Sequence, residues 1–398
     1  MKNIIALGLG NNTDYELVWD SKVFEACIRE YGIFQQDLEE RRKIFTEKDL
    51  VITLLQFFQS ERGGECVLDN PAVASQFASR FRYDVTIGGT CPRAGIAMDK
   101  LGYSSCMHLV TMNDEIRKLL PEKSTFVCSN PGVSYDVHLI IQYTPGKRIC
   151  ANDIDITTVR ANRIIVDDDH NNQVMNLSDD FFMNHLVDTK VFLVSGFNVM
   201  VDHDLLKTRL LYMRKQLKRL KKQGTRIFYE DACFVSERSN ELCKEYLFDY
   251  VDVYSFNEDE MSDYVGCPLD LLDAEGVAKV AAELQAKFQV PLIVVHSRYW
   301  ALAYGERAPE YVHCLKGGVT MATTRFRFGD AFVEAAQYED TYNLPALPKG
   351  RRFADAFHAV VGDRGYCVPA FEVPQEKATT IGLGDAFVGG FVPHLAEM

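Results

Sequence analysis

The segment best suited to chemistry lies near the C-terminus, where Gly382-Leu383-Gly384-Asp385 precedes an apolar helical pattern. Two glycines around one residue permit a tight turn that aims backbone N–H groups at one point. The helix N-terminus adds its partial positive charge, so this nest suits an anion. Asp385 could cap the helix. Alternatively, it could act as a general base that takes a proton from a hydroxyl while the nest stabilises a transferring phosphoryl group.

Oxygen ligands follow two of the predicted strands. Asn257 and Glu260 come directly after the run VDVYS at 251–255, and their spacing puts them on one face of a helix that begins there. Glu230 ends the run IFYE at 227–230. Ligands of α/β proteins bind at the carboxyl ends of parallel strands, and such a set suits Mg²⁺ held through water. The alternative for Asn257 and Glu260 is an acidic helix start that the helix dipole favours.

A third candidate set surrounds Gly88-Gly89, which follows the strand-like run at 82–86. A Gly-Gly pair at a strand end lets the backbone approach a ligand closely, although a plain strand-to-helix turn is the alternative. Asn12 and Asp14 follow the first predicted strand. They could hydrogen-bond a polyol at the same edge of the sheet.

Gly8-Leu9-Gly10 has a competing interpretation as a dinucleotide-binding turn. Thr13 stands where that motif has its third glycine, and no Walker A sequence occurs in the chain. The histidines have no spacing typical of a metal pair. The sequence therefore gives little support to a dehydrogenase.

Composition excludes several broad classes of protein. The 398 residues are 47% hydrophobic, which provides a sizeable core, and the net charge of −13 argues against general polyanion binding. The basic run at 207–222 has apolar residues at helical spacing, which favours a solvated helix face over a nucleic-acid patch. Eleven dispersed cysteines without a C-x-x-C pair indicate a reducing compartment. With no apparent targeting or membrane-spanning segment, we expect a cytoplasmic protein with neither nucleic-acid nor membrane partners.

The remaining patterns predict the elements that position these residues. Strand-like runs lie at 3–9, 191–195, 226–229, 251–255 and 292–296, and helical patterns lie at 204–223, 237–247 and 274–288. Their alternation predicts an α/β fold, a doubly wound, mainly parallel sheet with helices on both faces. Short β-rich pieces between 125 and 166 predict a small antiparallel lid. We expect a large domain of 1–12, 73–124 and 167–398, and a small lid domain of 125–166 with part of 13–72.

Together these motifs resemble the ADP-dependent sugar kinases of the ribokinase superfamily. The wider superfamily shares the G-x-G-D element. The run VRANRII at 159–165 and the N-x-x-E at 257–260 point to the ADP-dependent branch. The motifs extend from residue 8 to residue 391, nearly the whole chain.

The resemblance implies a ribokinase-like fold and transfer of the β-phosphoryl group of Mg-ADP to a hydroxyl of a hexose or hexose phosphate, releasing AMP. It makes Asp385 the base and Gly382, Leu383 and Gly384 the anion hole. The residues that it implies for the sugar are Asn12, Asp14, Glu65, Gly88 and Gly89. Those that it implies for nucleotide or phosphate are Arg163 and Asn257, and those for Mg²⁺ are Glu230 and Glu260.

The sequence departs from the family pattern at three places. Phe228 stands where members commonly have histidine, and Thr90 stands where glutamine or asparagine is usual. Cys91-Pro92-Arg93 lengthens the turn after the glycine pair. Arg93 could face a phosphate or carboxylate of the acceptor, because guanidinium suits bidentate anion recognition, but we favour a surface arginine.

Two alternatives to this function stay open. The first is an ATP-dependent ribokinase-type kinase of carbohydrates or nucleosides, because the G-x-G-D motif does not specify the donor. The second is a sugar- or nucleotide-binding homologue without turnover, because a shared fold does not guarantee activity. In each case the expected partners are a small-molecule acceptor and a nucleotide, and the chain is expected to be a monomer or homodimer.

Overall fold

A computed structural model of the protein describes residues 4–39, 43–61, 64–130, 132–159, 162–167, 169–329, 332, 334–373 and 381–398. Asn3 of the first predicted strand and Arg160-Ala161 of the run VRANRII lie outside the described residues.

The strands of the described ranges are β1 (Ile5–Leu7), β2 (Asn12–Leu17), β3 (Gly64–Val67), β4 (Tyr83–Gly88), β5 (Cys106–Leu109), β6 (Thr125–Cys128), β7 (Val137–Tyr143), β8 (Arg148–Ala151), β9 (Ile154–Thr157), β10 (Asn162–Asp167), β11 (Val191–Val194), β12 (Arg226–Glu230), β13 (Val253–Asn257), β14 (Leu292–His296), β15 (Trp300–Gly305) and β16 (Gly365–Pro369). The helices are α1 (Ser21–Glu30), α2 (Glu47–Ser60), α3 (Ala72–Ala78), α4 (Thr90–Asp99), α5 (Asp114–Leu119), α6 (His170–Val174), α7 (His203–Lys222), α8 (Glu237–Leu247), α9 (Glu258–Val265), α10 (Ala274–Phe288), α11 (Val312–Phe328), α12 (Ala335–Tyr342), α13 (Pro348–Val361) and α14 (Leu383–Glu397).

The larger sheet has the strand order β16-β15-β14-β13-β12-β11-β1-β5-β6. Neighbours from β6 to β14 are parallel, and β15 and β16 join one edge in antiparallel pairing. The central strands are continuous apolar runs because helices cover both faces. Helices α7, α8, α10 and α13 pack on one face, and α4, α11 and α14 pack on the other. The predicted fold class is confirmed.

The basic run at 207–222 lies on helix α7. Leu206, Leu210 and Leu217 are buried, whereas Lys215 and Lys218 are exposed. The run is therefore an amphipathic helix with a solvated basic face, as its spacing predicts. No helix in the described part of the chain is long and apolar enough to cross a membrane.

The smaller sheet has the order β3-β10-β7-β2-β4, and β8 and β9 form a separate hairpin. Its core includes Phe24 of α1, Phe58 of α2 and Phe77 of α3. The pairs β10–β7 and β2–β4 are antiparallel, but β3–β10 and β2–β7 are parallel. The prediction of an antiparallel sheet is therefore wrong in part, because the sheet is mixed.

Two strands belong to a different sheet from the one predicted. The sequence places 125–128 in the lid, but β6 pairs in parallel with β5 at the edge of the larger sheet. Conversely, 83–88 was expected in the large domain, but β4 pairs with β2 in the smaller sheet. The physical reason is that a short β-rich run shows its tendency to form a strand, but not its pairing partner. The predicted domain boundaries therefore do not coincide with the division between the sheets.

Short connections join the two sheets. Only residues 8–11 separate β1 of the larger sheet from β2 of the smaller one. Gly89 alone separates β4 from helix α4, which packs on the larger sheet. The smaller sheet therefore faces the carboxyl end of β1.

Helix α14 is fixed to α11 by a close crossing of two glycines. A Cβ atom on Gly317 would lie 2.4 Å from the carbonyl oxygen of Gly390, and one on Gly390 would lie 2.3 Å from that of Gly317. No side chain fits there. The N-terminus of α14, which carries Asp385, is thus held by a closely packed pair of helices.

Candidate active site

A cleft of about 450 Å³ lies between the carboxyl edge of the larger sheet and the smaller sheet. The predicted site residues that line it are Asn12, Asp14, Glu65, Gly88, Gly89, Arg163, Asn257, Gly382, Leu383, Gly384 and Asp385. The two predicted metal ligands, Glu230 and Glu260, are not among its lining residues. The structure therefore brings together residues that are far apart in sequence, while their chemical roles stay predictions.

The turn before α14 has the geometry expected of an anion nest. Gly382 is the N-cap residue with a φ of +66°, and a Cβ there would also lie 2.7 Å from Nη1 of Arg93. Asp385 is in the first helical turn, and no side chain among the described residues, its own included, is hydrogen-bonded to the first N–H groups of this helix. The capping alternative for Asp385 is therefore wrong. Its carboxylate, 22% exposed, makes no hydrogen bond to any described residue, so it can accept a proton.

One wall of the cleft is built on strand β2. Asn12 Nδ2 donates to Asp14 Oδ1 over 2.5 Å, and Arg93 Nη2 donates to Asp14 Oδ2 over 2.7 Å. Gly88 on β4 is the register partner of Asn12. These groups form a hydrogen-bonding wall of the kind that a polyol requires.

Arg93 is not a surface residue, and the interpretation that we favoured from sequence is wrong. Its side chain is 10% exposed and pairs with Asp14, while its Nε lies 3.9 Å from Asp385 Oδ2. Burial opposes its charge, but Asp14 and Asp385 outweigh this effect and raise the pKa of Arg93. Its sequence pattern gave no sign of these partners, because they come from β2 and α14.

His138 and Asp169 were missed in the sequence. His138 Nε2 and Asp169 Oδ1 lie 2.7 Å apart in the cleft, and His138 Nδ1 lies 3.9 Å from Asp14 Oδ1. Burial lowers the pKa of His138, but the charge and hydrogen bond of Asp169 outweigh it and raise this pKa to about 10. His138 is therefore a cation at neutral pH. No spacing links these residues, so only the folded chain shows the pair.

Glu230 ends strand β12, and Glu260 lies in the first turn of α9, which directly follows the neighbouring strand β13. Glu230 Oε1 is 3.0 Å from Nε2 of His296. Its Oε2 is buried beside Ser255, which lies on the paired strand. Neither this oxygen nor Oγ of Ser255 makes a hydrogen bond of normal geometry among the described residues. Glu260 Oε2 accepts from the backbone N–H of Asn257, which in turn caps α9. Capping of the helix and binding of a metal ion by Asn257 and Glu260 are therefore compatible, since the capping box uses only one oxygen of Glu260.

These two carboxylates fit a divalent cation. Burial raises the pKa of Glu230, and burial with the charge of Asp231 raises that of Glu260 to about 8. Within the described ranges, no three His, Cys, Asp or Glu side chains form a metal-binding group. Two carboxylates with an unbonded buried oxygen suit Mg²⁺, which keeps several of its waters. His296 could have been found by the rule that located Glu230, because it ends its strand.

Arg163 and Glu65 lie on adjacent strands of the smaller sheet, β10 and β3. Both line the cleft and both are exposed. Arg163 forms no ion pair with a described residue, in contrast to Arg93. A guanidinium suits an anionic ligand, because its planar group can donate two hydrogen bonds to a carboxylate or phosphate.

The His138–Asp169 pair predicts a pH-dependent contribution to stability. A raised histidine pKa stabilises the folded state fully below about pH 6.5, and this effect is lost as pH rises through about 10. We expect His138→Gln to lower the free energy of unfolding by about 3 kcal/mol at pH 6 and by much less at pH 10. Denaturant unfolding over this range measures the difference. The control is His185→Gln, at a solvated His–Asp pair. A loss that does not depend on pH would contradict the charge on His138.

Comparisons with known proteins agree with this geometry. The family described as "ADP-specific Phosphofructokinase/Glucokinase conserved region" matches residues 3–304. No curated protein matches the sequence. A phosphofructokinase from Pyrococcus horikoshii OT3, solved with AMP, is similar with a TM-score of 0.79 at 16% identity, covering 99% of this chain and 98% of that chain.

Two further structures show the same fold. The last common ancestor of ADP-dependent phosphofructokinases from Methanosarcinales has a TM-score of 0.74 at 18% identity, covering 100% of this chain and 94% of that one. An ADP-dependent kinase in complex with fructose-6-phosphate and ADPbetaS has a TM-score of 0.72 at 15% identity, with coverage of 100% and 94%. The family match spans more than half of the sequence. The chain therefore belongs to the ADP-specific phosphofructokinase/glucokinase family, and it is an ADP-dependent sugar kinase, a phosphotransferase that acts on a hydroxyl group.

Proposed function

We propose that the protein transfers the β-phosphoryl group of Mg-ADP to a hydroxyl of a hexose or hexose phosphate and releases AMP. The observation that carries this proposal is the position of Asp385. Its unbonded carboxylate stands at the N-terminus of α14, in the same cleft as Asn12 and Asp14. A proton acceptor, an anion nest and polar groups for a sugar thus converge.

The reaction follows from these positions. Asn12 and Asp14 hold the acceptor, and Asp385 takes the proton of its reacting hydroxyl. The hydroxyl oxygen forms a bond to the β-phosphorus as the bond to the bridging oxygen of ADP breaks, so AMP leaves with that electron pair. Backbone N–H groups at Gly382–Gly384 stabilise the charge on the transferring group.

Mg²⁺ completes the donor side of the proposal. Glu230 and Glu260 would hold it, mainly through water, with Asn257 nearby. When bound, Mg²⁺ supplies positive charge that offsets the charge of the nucleotide phosphates. His296 keeps one oxygen of Glu230 in place through its hydrogen bond.

The charges around the cleft support a phosphorylated acceptor in particular. Arg93 and His138 are each paired with a carboxylate, whereas Arg163 has no ion pair among the described residues. An exposed guanidinium that lines a sugar pocket matches a phosphate in charge and geometry. We therefore place a hexose phosphate ahead of a neutral hexose.

A turnover screen tests the proposal. Purified protein is assayed with Mg-ADP and Mg-ATP against fructose 6-phosphate, glucose and a panel of other sugars and nucleosides. We expect AMP formation that requires both ADP and an acceptor. Turnover with ATP alone would contradict the donor, and nucleotide binding without turnover across the panel would favour a non-catalytic homologue.

Asp385→Asn tests the base. We expect the variant to bind nucleotide normally but to lose about 10²- to 10⁴-fold in kcat, because the hydroxyl proton has no acceptor. Calorimetry with ADP and steady-state kinetics measure the two effects. Asp204→Asn is the control, since Asp204 also lies in the first turn of a helix but does not line the cleft. Near-normal turnover of Asp385→Asn would exclude Asp385 as the base.

Arg163→Gln tests the phosphate contact. We expect the KM for a phosphorylated acceptor to rise about 10- to 100-fold, while that for a neutral sugar stays unchanged. Arg148→Gln is the matched control, because Arg148 lies on the β8–β9 hairpin and pairs with Asp155 outside the cleft. A rise in the KM for ADP alone would assign Arg163 to the donor.

A further inference from the structure

The guanidinium of Arg93 is shared by carboxylates on both sides of the cleft. Its Nη2 lies 2.7 Å from Oδ2 of Asp14 and 3.9 Å from Oε1 of Glu16, both on strand β2. Its Nε lies 3.9 Å from Oδ2 of Asp385 on α14. Nη2 also lies 3.5 Å from Oγ1 of Thr86 on β4. One side chain therefore contacts two strands of the smaller sheet and approaches the helix that carries the base.

Burial makes these contacts mutually dependent. The side chain of Arg93 is 10% exposed and that of Asp14 is 6% exposed. Buried charges are costly unless they are paired, so neither group is easily separated from the other. Moving the smaller sheet away from α14 would pull Arg93 from Asp14 or from Asp385. The ion pairs thus resist that displacement.

The backbone beneath Arg93 is also anchored. Cys91 is buried in the first turn of α4, and its Sγ donates to the carbonyl oxygen of Leu7 on β1 over 3.2 Å. Gly382 on α14 leaves no room for a side chain beside the guanidinium. Arg93 therefore extends from a fixed helix start through a narrow space toward β2.

We propose that Arg93 is a positioning residue that ties the smaller sheet to α14 and so fixes Asp14 relative to Asp385. The inference rests on the proposed function, in which Asp14 holds the acceptor and Asp385 takes its proton. The tie sets where the acceptor hydroxyl lies relative to the base. Arg93 lies at one of the three places where the sequence departs from the family pattern.

A guanidinium can serve both carboxylates because its planar fork presents several N–H groups in fixed directions. An ammonium is a compact charge on a flexible stem. Arg93→Lys therefore retains the charge, but it can pair firmly with only one of the two carboxylates, Asp14 or Asp385. Arg93→Met removes the charge and keeps much of the apolar stem. These two variants separate the effect of charge from that of the fork.

Kinetics with the acceptor found in the screen provide the first test. A displacement of about 1 Å between reacting groups can cost about 100-fold in rate. We expect Arg93→Met to lower kcat about 100-fold with less than a threefold change in either KM, and Arg93→Lys to lie between. Arg80→Met is the control, because Arg80 bridges Glu30 and Glu47 within the smaller-sheet unit, outside the cleft. It should lower stability and leave kcat unchanged.

Hydrogen exchange provides a test that does not require turnover. We expect Arg93→Met to speed amide exchange in Asn12–Leu17 and Tyr83–Gly88 about tenfold, with no change in Val253–Asn257. Unchanged exchange in Asn12–Leu17 and Tyr83–Gly88 would contradict the positioning role of Arg93, even if no acceptor were found. An unchanged kcat would make Arg93 a purely structural residue, and a rise in acceptor KM alone would make it a direct substrate contact. Failure of the proposed function would instead show as absent turnover in the unaltered protein.

Discussion

Burying several carboxylates around one cleft costs free energy unless each charge is compensated. In this protein the compensation is distributed over three elements of the fold. Arg93 offsets Asp14 and lies near Asp385, His138 offsets Asp169, and His296 shares a hydrogen bond with Glu230. The arrangement requires the smaller sheet, α4 and the larger sheet to pack in one fixed relative position.

The compensation is incomplete at Glu230 and Glu260. Their pKa values are raised by burial, and Glu230 keeps an oxygen without a hydrogen bond. The burial of this pair is electrostatically unfavourable, and the proposed Mg²⁺ would offset its negative charge. The capping box of α9 positions the carboxylate of Glu260, so its structural role is compatible with the proposed binding of Mg²⁺.

Sequence patterns predicted those parts of the molecule that local physics determines. Helices over 203–222, 237–247 and 274–288 follow from apolar spacing, and the gathering of strand ends follows from parallel topology. The local sequence did not predict which sheet β4 and β6 join, because strand pairing depends on segments that are distant in the chain.

The same distinction applies to the site. Asp385 and its glycines form one local motif, so the sequence contains nearly all the information about them. Arg93 and His138 pair with carboxylates on other elements, so their place in the site depends on the folded chain. The sequence around an arginine that follows a glycine pair is the same whether its side chain is exposed to solvent or pairs with a buried carboxylate. The local sequence therefore cannot predict which of the two occurs.

The brevity of the connections between the sheets limits how copies of this chain can associate. From Leu7 to Asn12 a fully extended chain spans at most about 18 Å, and Gly89 provides hardly any reach between β4 and α4. The chain also passes between the sheets from β6 to β7 and from β10 to β11. Reciprocal exchange of the whole smaller sheet between two copies would therefore need all four connections to bridge from one molecule to the other at once. The short connections at residues 8–11 and at Gly89 therefore argue against a dimer formed by exchange of the whole smaller sheet.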